Sequence, residues 1–226
     1  MVRFYVLIAA TLAVNTLLLA VLAWAYHSPR FAHRRISQRP AIKVSRSERL
    51  RTMGVISTLS LVAVIAPTYF FYDVLFHERP TPWWTIALQS VGILMLYDFL
   101  YYFLHRTMHH KRLMRLVHGV HHRARNPSTL ESFFQHPIEL LAGLGLLFAC
   151  VIAFGPVHVL TFQIVFFVYS NLNIVIHSGL ELPFGGPINF LTKKHHVHHQ
   201  DDFAKNYASL TPLPDRLFGT AGWAHG

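Results

Sequence analysis

Residues 81–109 read TPWWTIALQSVGILMLYDFLYYFLHRTMH. The first 24 of them, Thr81 to Leu104, carry one charge, Asp98. A helix needs about 20 mostly apolar residues to cross a bilayer. The run is long enough to span, and it lacks the period-2 alternation of an outer-membrane strand. It ends on His105-Arg-Thr-Met-His109. Imidazoles spaced i, i+4 share one helical face, as two side chains gripping one ion, or two neighbouring ions, must. Asp98 stands two turns before His105 on that face, where a carboxylate can accept the second ring N–H of a ligand histidine and fix its tautomer. An acid inside a span is functional by default.

Four more runs surround this one. Phe4–Tyr26 has 23 residues and Thr52–Tyr72 has 21, both uncharged. Pro137–Phe154 has 18 with Glu139, and Pro156–Gly179 has 24 with no acid or base but His158 and His177. The first run is longer than the 7–15 residues typical of a signal-peptide core, so it reads as a retained anchor. Pro137–Phe154 either crosses or forms a shorter hairpin with the next helix. The expectation is an all-α integral membrane bundle of four to five transmembrane helices with a cytoplasmic, helical, histidine-rich cap.

Charge supports that reading. Only 13% of residues are charged, about half the usual share of a soluble domain. One cysteine, Cys150, excludes a disulfide scaffold. The net charge of +10 is concentrated. Eight Lys or Arg lie between His27 and Arg51, six between His105 and His136, and Lys193, Lys194, Lys205 and Arg216 follow Gly179. Basic loops mark the cytoplasmic side. Five helices with the N-terminus outside put all three segments there. The charge is thus an orientation signal, and nucleic acid is not an expected partner.

Seventeen histidines outnumber the ten acids. His27, His33, His77, His158 and His225 are scattered and read as solvated or interfacial. The other twelve fall in His105–His136, at His177 and in His195–His199. His118-Gly-Val-His121-His122 has spacing i, i+3, i+4, one face of a helix, and His195-His196-Val-His198-His199 repeats it with one extra histidine. Neutral imidazole suits zinc, iron, copper and nickel. Eight or more ligands exceed one ion's capacity and imply two. Soluble di-iron bundles use Glu-x-x-His and metalloproteases His-Glu-x-x-His; neither occurs. A histidine-rich two-metal centre at the membrane surface remains.

These residues resemble the fatty acid hydroxylase/sterol desaturase superfamily. The resemblance begins at Asp98-Phe-Leu-Tyr-Tyr-Phe-Leu-His105-Arg and runs through His118–His122, Asn126-Pro and Phe134-Gln-His136-Pro-Ile-Glu139. It resumes at Asn173, His177-Ser-Gly and His195–His199, and closes on Asn206-Tyr207 and Asp215-Arg-Leu-Phe-Gly-Thr220. It covers residues 98–220, is specific to the superfamily and says little about substrate. Together with the apolar runs it gives the expectation of one membrane domain over residues 1–226, with N-terminal helices and a basic loop at 1–97 and a catalytic region at 98–220. It further implies two iron ions on His105, His109, His118, His121, His122, His177, His195, His198 and His199, with His196 an extra ligand or a neighbour of the ligands. His136 reads as a neighbour of the site, orienting with Glu139, and His110 has no motif support. Asp98, Asp202 and Asp215 read as acids balancing the cationic centre. Three positions depart from the family pattern: Asn173 stands where some members have another histidine, Ala208 replaces a usual glycine, and Arg123-Ala-Arg125 replaces a small polar stretch.

The activity this implies is O2-dependent hydroxylation or desaturation of a lipid C–H bond. Sterol, fatty acyl and ether lipids all stay open. The chain carries no cytochrome, flavin or Cys-cluster motif, so a separate reductase, ferredoxin or cytochrome would supply electrons. The aromatic residues Tyr69–Tyr72, Trp83, Trp84, Tyr101, Tyr102, Phe133, Phe134 and Phe166–Tyr169 are candidates to line a lipid path. The rival readings are a histidine-rich metal transport or storage protein, a non-catalytic family member and a membrane di-zinc hydrolase.

Overall fold

The apolar runs fold as helices because a bilayer offers the backbone no other partner for its N–H and C=O groups. The computed structural model describes residues 1–39, 44–183, 185–200 and 204–222. Four helices are long and apolar enough to cross a membrane: α1 (Val2–His27), α2 (Arg46–Phe70), α4 (Trp83–Met108) and α7 (Val159–Ile176). The short α3 (Tyr72–Leu75) leads from α2 into strand β1 (Phe76–His77). The shorter apolar helix α6 (Pro137–Ala153) packs between α2 and α4, and α1 packs on α7. Outside the bundle lie α5 (Lys111–Leu116), α8 (Gly186–His199) and α9 (Leu213–Leu217), with 3₁₀ turns at Pro29–Arg34, His118–Arg123 and Thr129–Phe133.

α4 shows how the pattern works. Ile86, Ser90, Ile93 and Tyr97 are buried at helical spacing, and Asp98, Tyr102 and His105 continue the stripe towards the cap. At 1.5 Å per residue its 26 residues cover about 39 Å. One end of the bundle holds the N-terminus, whose amino group pairs with Glu78 at 2.8 Å, and a two-residue parallel pair, β1 with β2 (Val157–His158). Phe4, Tyr72, Phe76 and Phe162 pack there edge to face or tilted, with centroids 4.9–5.8 Å apart. The histidines sit at the opposite end of α4.

α6 runs from the histidine end towards β2. Phe154 packs against Gly92, where a Cβ would lie 2.7 Å from the ring, and Thr161 Oγ1 donates to Gln89 Oε1 at 3.4 Å. The α6–α7 turn is therefore level with the second and third turns of α4. At 17 residues α6 falls short of the four spans in length.

Caps set the ends at the histidine side. Ser45 Oγ accepts from Glu48 N at 3.2 Å at the start of α2. His136 Nδ1 accepts from Ile138 N at 3.1 Å, with Pro137 opening α6. Ser128 and Glu131 form a reciprocal capping box, and Arg49 of α2 reaches buried Glu131 at 2.7 Å. Gly179, two residues past His177, has φ +64°, and its carbonyl accepts from Ile36 N at 2.9 Å. A Cβ there would sit 2.3 Å from the Pro127 carbonyl oxygen. Gly179→Ala is expected to cost on the order of 2 kcal/mol, read as a lower thermal unfolding midpoint of the detergent-purified protein; an unchanged midpoint would refute this account of the turn.

Candidate metal centre

Nine histidines converge in two groups. His105, His109, His118, His122 and His198 form one, and His121, His177, His195 and His199 the other; within each, the ligand nitrogens lie within 4.8 Å of one another. The groups abut, with the His122 and His199 ring centroids 4.9 Å apart. The i, i+4 pairs 105/109, 118/122 and 195/199 each stay within one group. The middle histidine of each His-x-x-His-His box crosses over. His121 joins the second group and His198 the first, so each box bridges both.

The first box is wound as a 3₁₀ turn rather than as one face of an α-helix. That corrects the expectation drawn from its spacing. His121 parts from His118 and His122 just as His198 parts from His195 and His199 on the regular helix α8, so the split does not depend on the 3₁₀ winding. The group holding His177 is the one with four members, and Asn173, one turn before His177, lines the chamber beside it. His196 falls in neither group; its Nε2 lies 2.9 Å from the Gln200 amide nitrogen. His136 caps α6, and Asp202 lies outside the described residues.

The orientation of the rings decides what the groups can hold. Nδ1–H of His105 donates to the Tyr207 carbonyl at 2.7 Å, His121 to Phe134 at 3.3 Å, His177 to Asn173 at 2.7 Å and His198 to Lys205 at 2.7 Å. A carbonyl only accepts, so these protons are fixed on Nδ1 and each Nε2 is a bare lone pair. The Nε2 atoms of His121 and His177 nonetheless face each other at 3.2 Å. Neither has a proton to share. Nε2 of His198 is buried with no hydrogen-bond partner among the described residues. Facing lone pairs repel unless a cation lies between them. Burial pushes His109 and His118 down to about 3 and holds His122, His195, His198 and His199 well below the ordinary range. These imidazoles are therefore neutral, as ligands must be. The donor set fits two nitrogen-loving metal ions.

Asp98 is not beside a histidine, which corrects its expected role. Its Oδ1 accepts from Ser209 N and Leu210 N at 2.9 and 2.6 Å, and its Oδ2 from Thr211 N and Oγ1 at 3.0 and 2.6 Å. Asp215 accepts from Tyr207 N at 2.7 Å and Ala208 N at 3.2 Å, and pairs with Lys194 at 2.9 Å. Burial holds Lys194 below the usual lysine range, and Asp215 beside it opposes that shift. Lys194 also donates to the Ala208 and Thr211 carbonyls. Asn206, at φ +62°, donates to the Lys194 and Gly222 carbonyls. All these groups grip residues 205–211, whose carbonyls at Lys205 and Tyr207 aim His198 and His105. The acids act two steps from the metals.

Sequence reasoning missed the acid that does touch a ligand as an orienter of that ligand. Glu139 Oε1 lies 3.0 Å from His118 Nδ1, and both side chains are buried. Its signal was an acid in an otherwise apolar run. Glu139 also lines a cavity of about 440 Å³ walled by α1, α2, α4, α6 and α7. Thr16, Ser57 and Leu61 line it and are exposed on the lipid-facing surface of α1 and α2, so it opens within the membrane layer. Its inner end continues into a chamber of about 30 Å³ lined by His105, His121, His177 and His195. Of the aromatic candidates, Tyr101, Phe133, Phe166 and Tyr169 line the cavity; Tyr69, Phe70, Trp83 and Trp84 are exposed at the far end.

A lipid-accessible cavity ending between two histidine clusters defines a class, the histidine-rich membrane metalloproteins. Comparison with known proteins narrows it. The fatty acid hydroxylase family model matches residues 90–220, and the chain belongs to that family. Methylsterol monooxygenase 1 from Rattus norvegicus is 32% identical over 169 residues, covering 70% of this chain and 56% of the relative. The Gallus gallus protein of that name is 30% identical over 167 residues, covering 70% and 55%. A very-long-chain aldehyde decarbonylase from Oryza sativa subsp. indica is 34% identical over 183 residues, covering 76% and 66%. The chain spans a little over half the length of the methylsterol monooxygenases it matches. No solved structure matches it.

The geometry separates neighbouring histidines. After anaerobic reconstitution, His196→Ala is expected to keep the metal content of the unaltered protein, and His198→Ala to lose at least half of it, by elemental analysis. Equal loss in both would count against the two-group arrangement.

Proposed function

We propose that this protein is a membrane di-iron oxygenase that takes O2 and externally supplied electrons and hydroxylates or desaturates a C–H bond of a bilayer lipid. One observation carries the reading: a membrane-facing cavity ends in a chamber walled by histidines of both groups. A metal carrier has no use for a lipid-sized dead end beside its ligands. The relatives' names, methylsterol monooxygenase and very-long-chain aldehyde decarbonylase, favour a lipid substrate.

His105, His109, His118, His122 and His198 would hold one iron, and His121, His177, His195 and His199 the other. Bound there, the irons would supply O2 reduction and C–H oxidation, chemistry that no side chain provides. The chain's own residues bind, aim and exclude. The carbonyls of residues 134, 173, 205 and 207 lock the imidazoles in one tautomer, so little reorganisation is needed when ligation changes. Leu140, Leu144 and Phe166 give the lipid an apolar wall and keep water from its chain. Three of the four histidines in the smaller group line the chamber, so a small co-substrate reaches that iron more directly. The basic cap faces the cytoplasm by the charge rule, where a separate donor, a reductase, ferredoxin or cytochrome, meets it.

Two measurements test this. Reconstituted protein is expected to hold two irons per chain, and lipids of cells with and without it to differ in one class by one added oxygen or two lost hydrogens. One iron or fewer, or turnover without O2, would sink the reading. The cavity has its own test. Gly143 faces Tyr97, Tyr101 and Tyr169, with a Cβ 3.8–4.0 Å from their nearest atoms. Gly143→Leu fills that space and is expected to cut turnover at least about tenfold, or 1.4 kcal/mol of barrier, with metal content unchanged. Undiminished turnover would place the substrate elsewhere.

A further inference from the structure

Glu139 has a second oxygen. Oε1 lies 3.0 Å from His118 Nδ1, while Oε2 is buried and has no hydrogen-bond partner among the described residues. The residue is only 6% exposed and lines both the large cavity and the inner chamber. An acceptor left bare in a buried site costs more than its hydrogen bond would contribute, so it marks a place where a donor is missing. The fold supplies none, yet it gathers other polar groups at the same spot. Ser132, Gln135, Asn173 and Ser209 line both spaces, while Leu12, Leu19, Leu61, Val64, Leu144 and Phe166 line the rest of the cavity. The cavity thus mixes leucines with small polar residues along its length, Asn15, Thr16, Ser57 and Ser60 among them, and its one carboxylate, Glu139, stands at the histidine end.

We propose that this inner end is a subsite for a hydroxyl group of the lipid substrate, with Glu139 Oε2 as the acceptor and the Gln135 and Asn173 amides beside it. The substrate is then a lipid alcohol that enters polar end first. The carbon presented to the irons lies a few bonds from that hydroxyl, not far down the chain. An ester or hydrocarbon has no donor for Oε2 and leaves the carboxylate oxygen dry and bare. The proposal rests on the cavity being the lipid site of the reading above. It assigns Glu139 two tasks, positioning His118 with one oxygen and selecting the substrate with the other.

Binding to metal-free protein in nanodiscs tests it apart from any turnover. The probes are hexadecan-1-ol and its methyl ether, and cholesterol and its methyl ether, each pair differing in one donor. At least one alcohol is expected to bind about tenfold or more tighter than its ether, the usual cost of leaving a buried acceptor unsatisfied. In Glu139→Gln the amide oxygen is expected to stay on His118 and the NH2 to face the cavity. The preference then vanishes or reverses, because the amide donates to an ether oxygen as well as to an alcohol. If neither alcohol outbinds its ether in the unaltered protein, or if the preference survives Glu139→Gln, the subsite is wrong and a water fills the place. Iron content of the same protein after anaerobic reconstitution separates the two ideas. Two irons without alcohol preference removes the subsite alone; alcohol preference with one iron or none removes the oxygenase reading alone.

Discussion

Facing lone pairs are the constraint on which the centre is built. Each of four imidazoles is turned so that its proton points outward to a backbone carbonyl and its bare nitrogen inward. Buried nitrogens held 3.0–3.2 Å apart without protons between them are costly in an empty site. The surrounding fold must therefore hold them, and much of the cap does only that. The closing segment 205–211 is gripped by Asp98, Asp215, Lys194 and Asn206, and through it α4, α8 and α9 are tied into one frame.

This ordering explains why so much chemistry surrounds residues that touch no metal. Asp98 satisfies three backbone N–H groups of a loop buried against α4. Asp215 does the same for two more and neutralises Lys194. The Asn206-Tyr207 and Asp215–Thr220 elements are thus one device, with Thr220 donating to Asp215 and Gly222 to Asn206. On the other side of the centre, Arg49 and Glu131 lock α2 to the turn that precedes Phe134, whose carbonyl aims His121.

The spans, the histidine pairs and the family were legible in the sequence, because hydropathy and i, i+4 spacing are properties of local winding. The sharing of each box between two groups was not, because spacing puts three imidazoles in one sector of a helix and says nothing of which neighbouring element each will meet. The partners of the imidazoles were hidden for a different reason. They are main-chain oxygens, and every residue has one. Asp98 attracted the reading because side chains are visible in a sequence and carbonyl directions are not. The cavity walls from α1 and α2, among them Asn15 and Ser57, were likewise out of reach, since only packing brings those helices to α7 and α6.

The interleaving of the boxes bears on how the protein is made. The first group needs His198 and the second needs His199, whereas their other members begin at His105. Neither can close until α8 has left the ribosome and docked. A nascent or truncated chain can expose a pair of imidazoles but cannot assemble a complete ligand set. Each set of imidazoles is therefore completed by α8, the last element to contribute to either group.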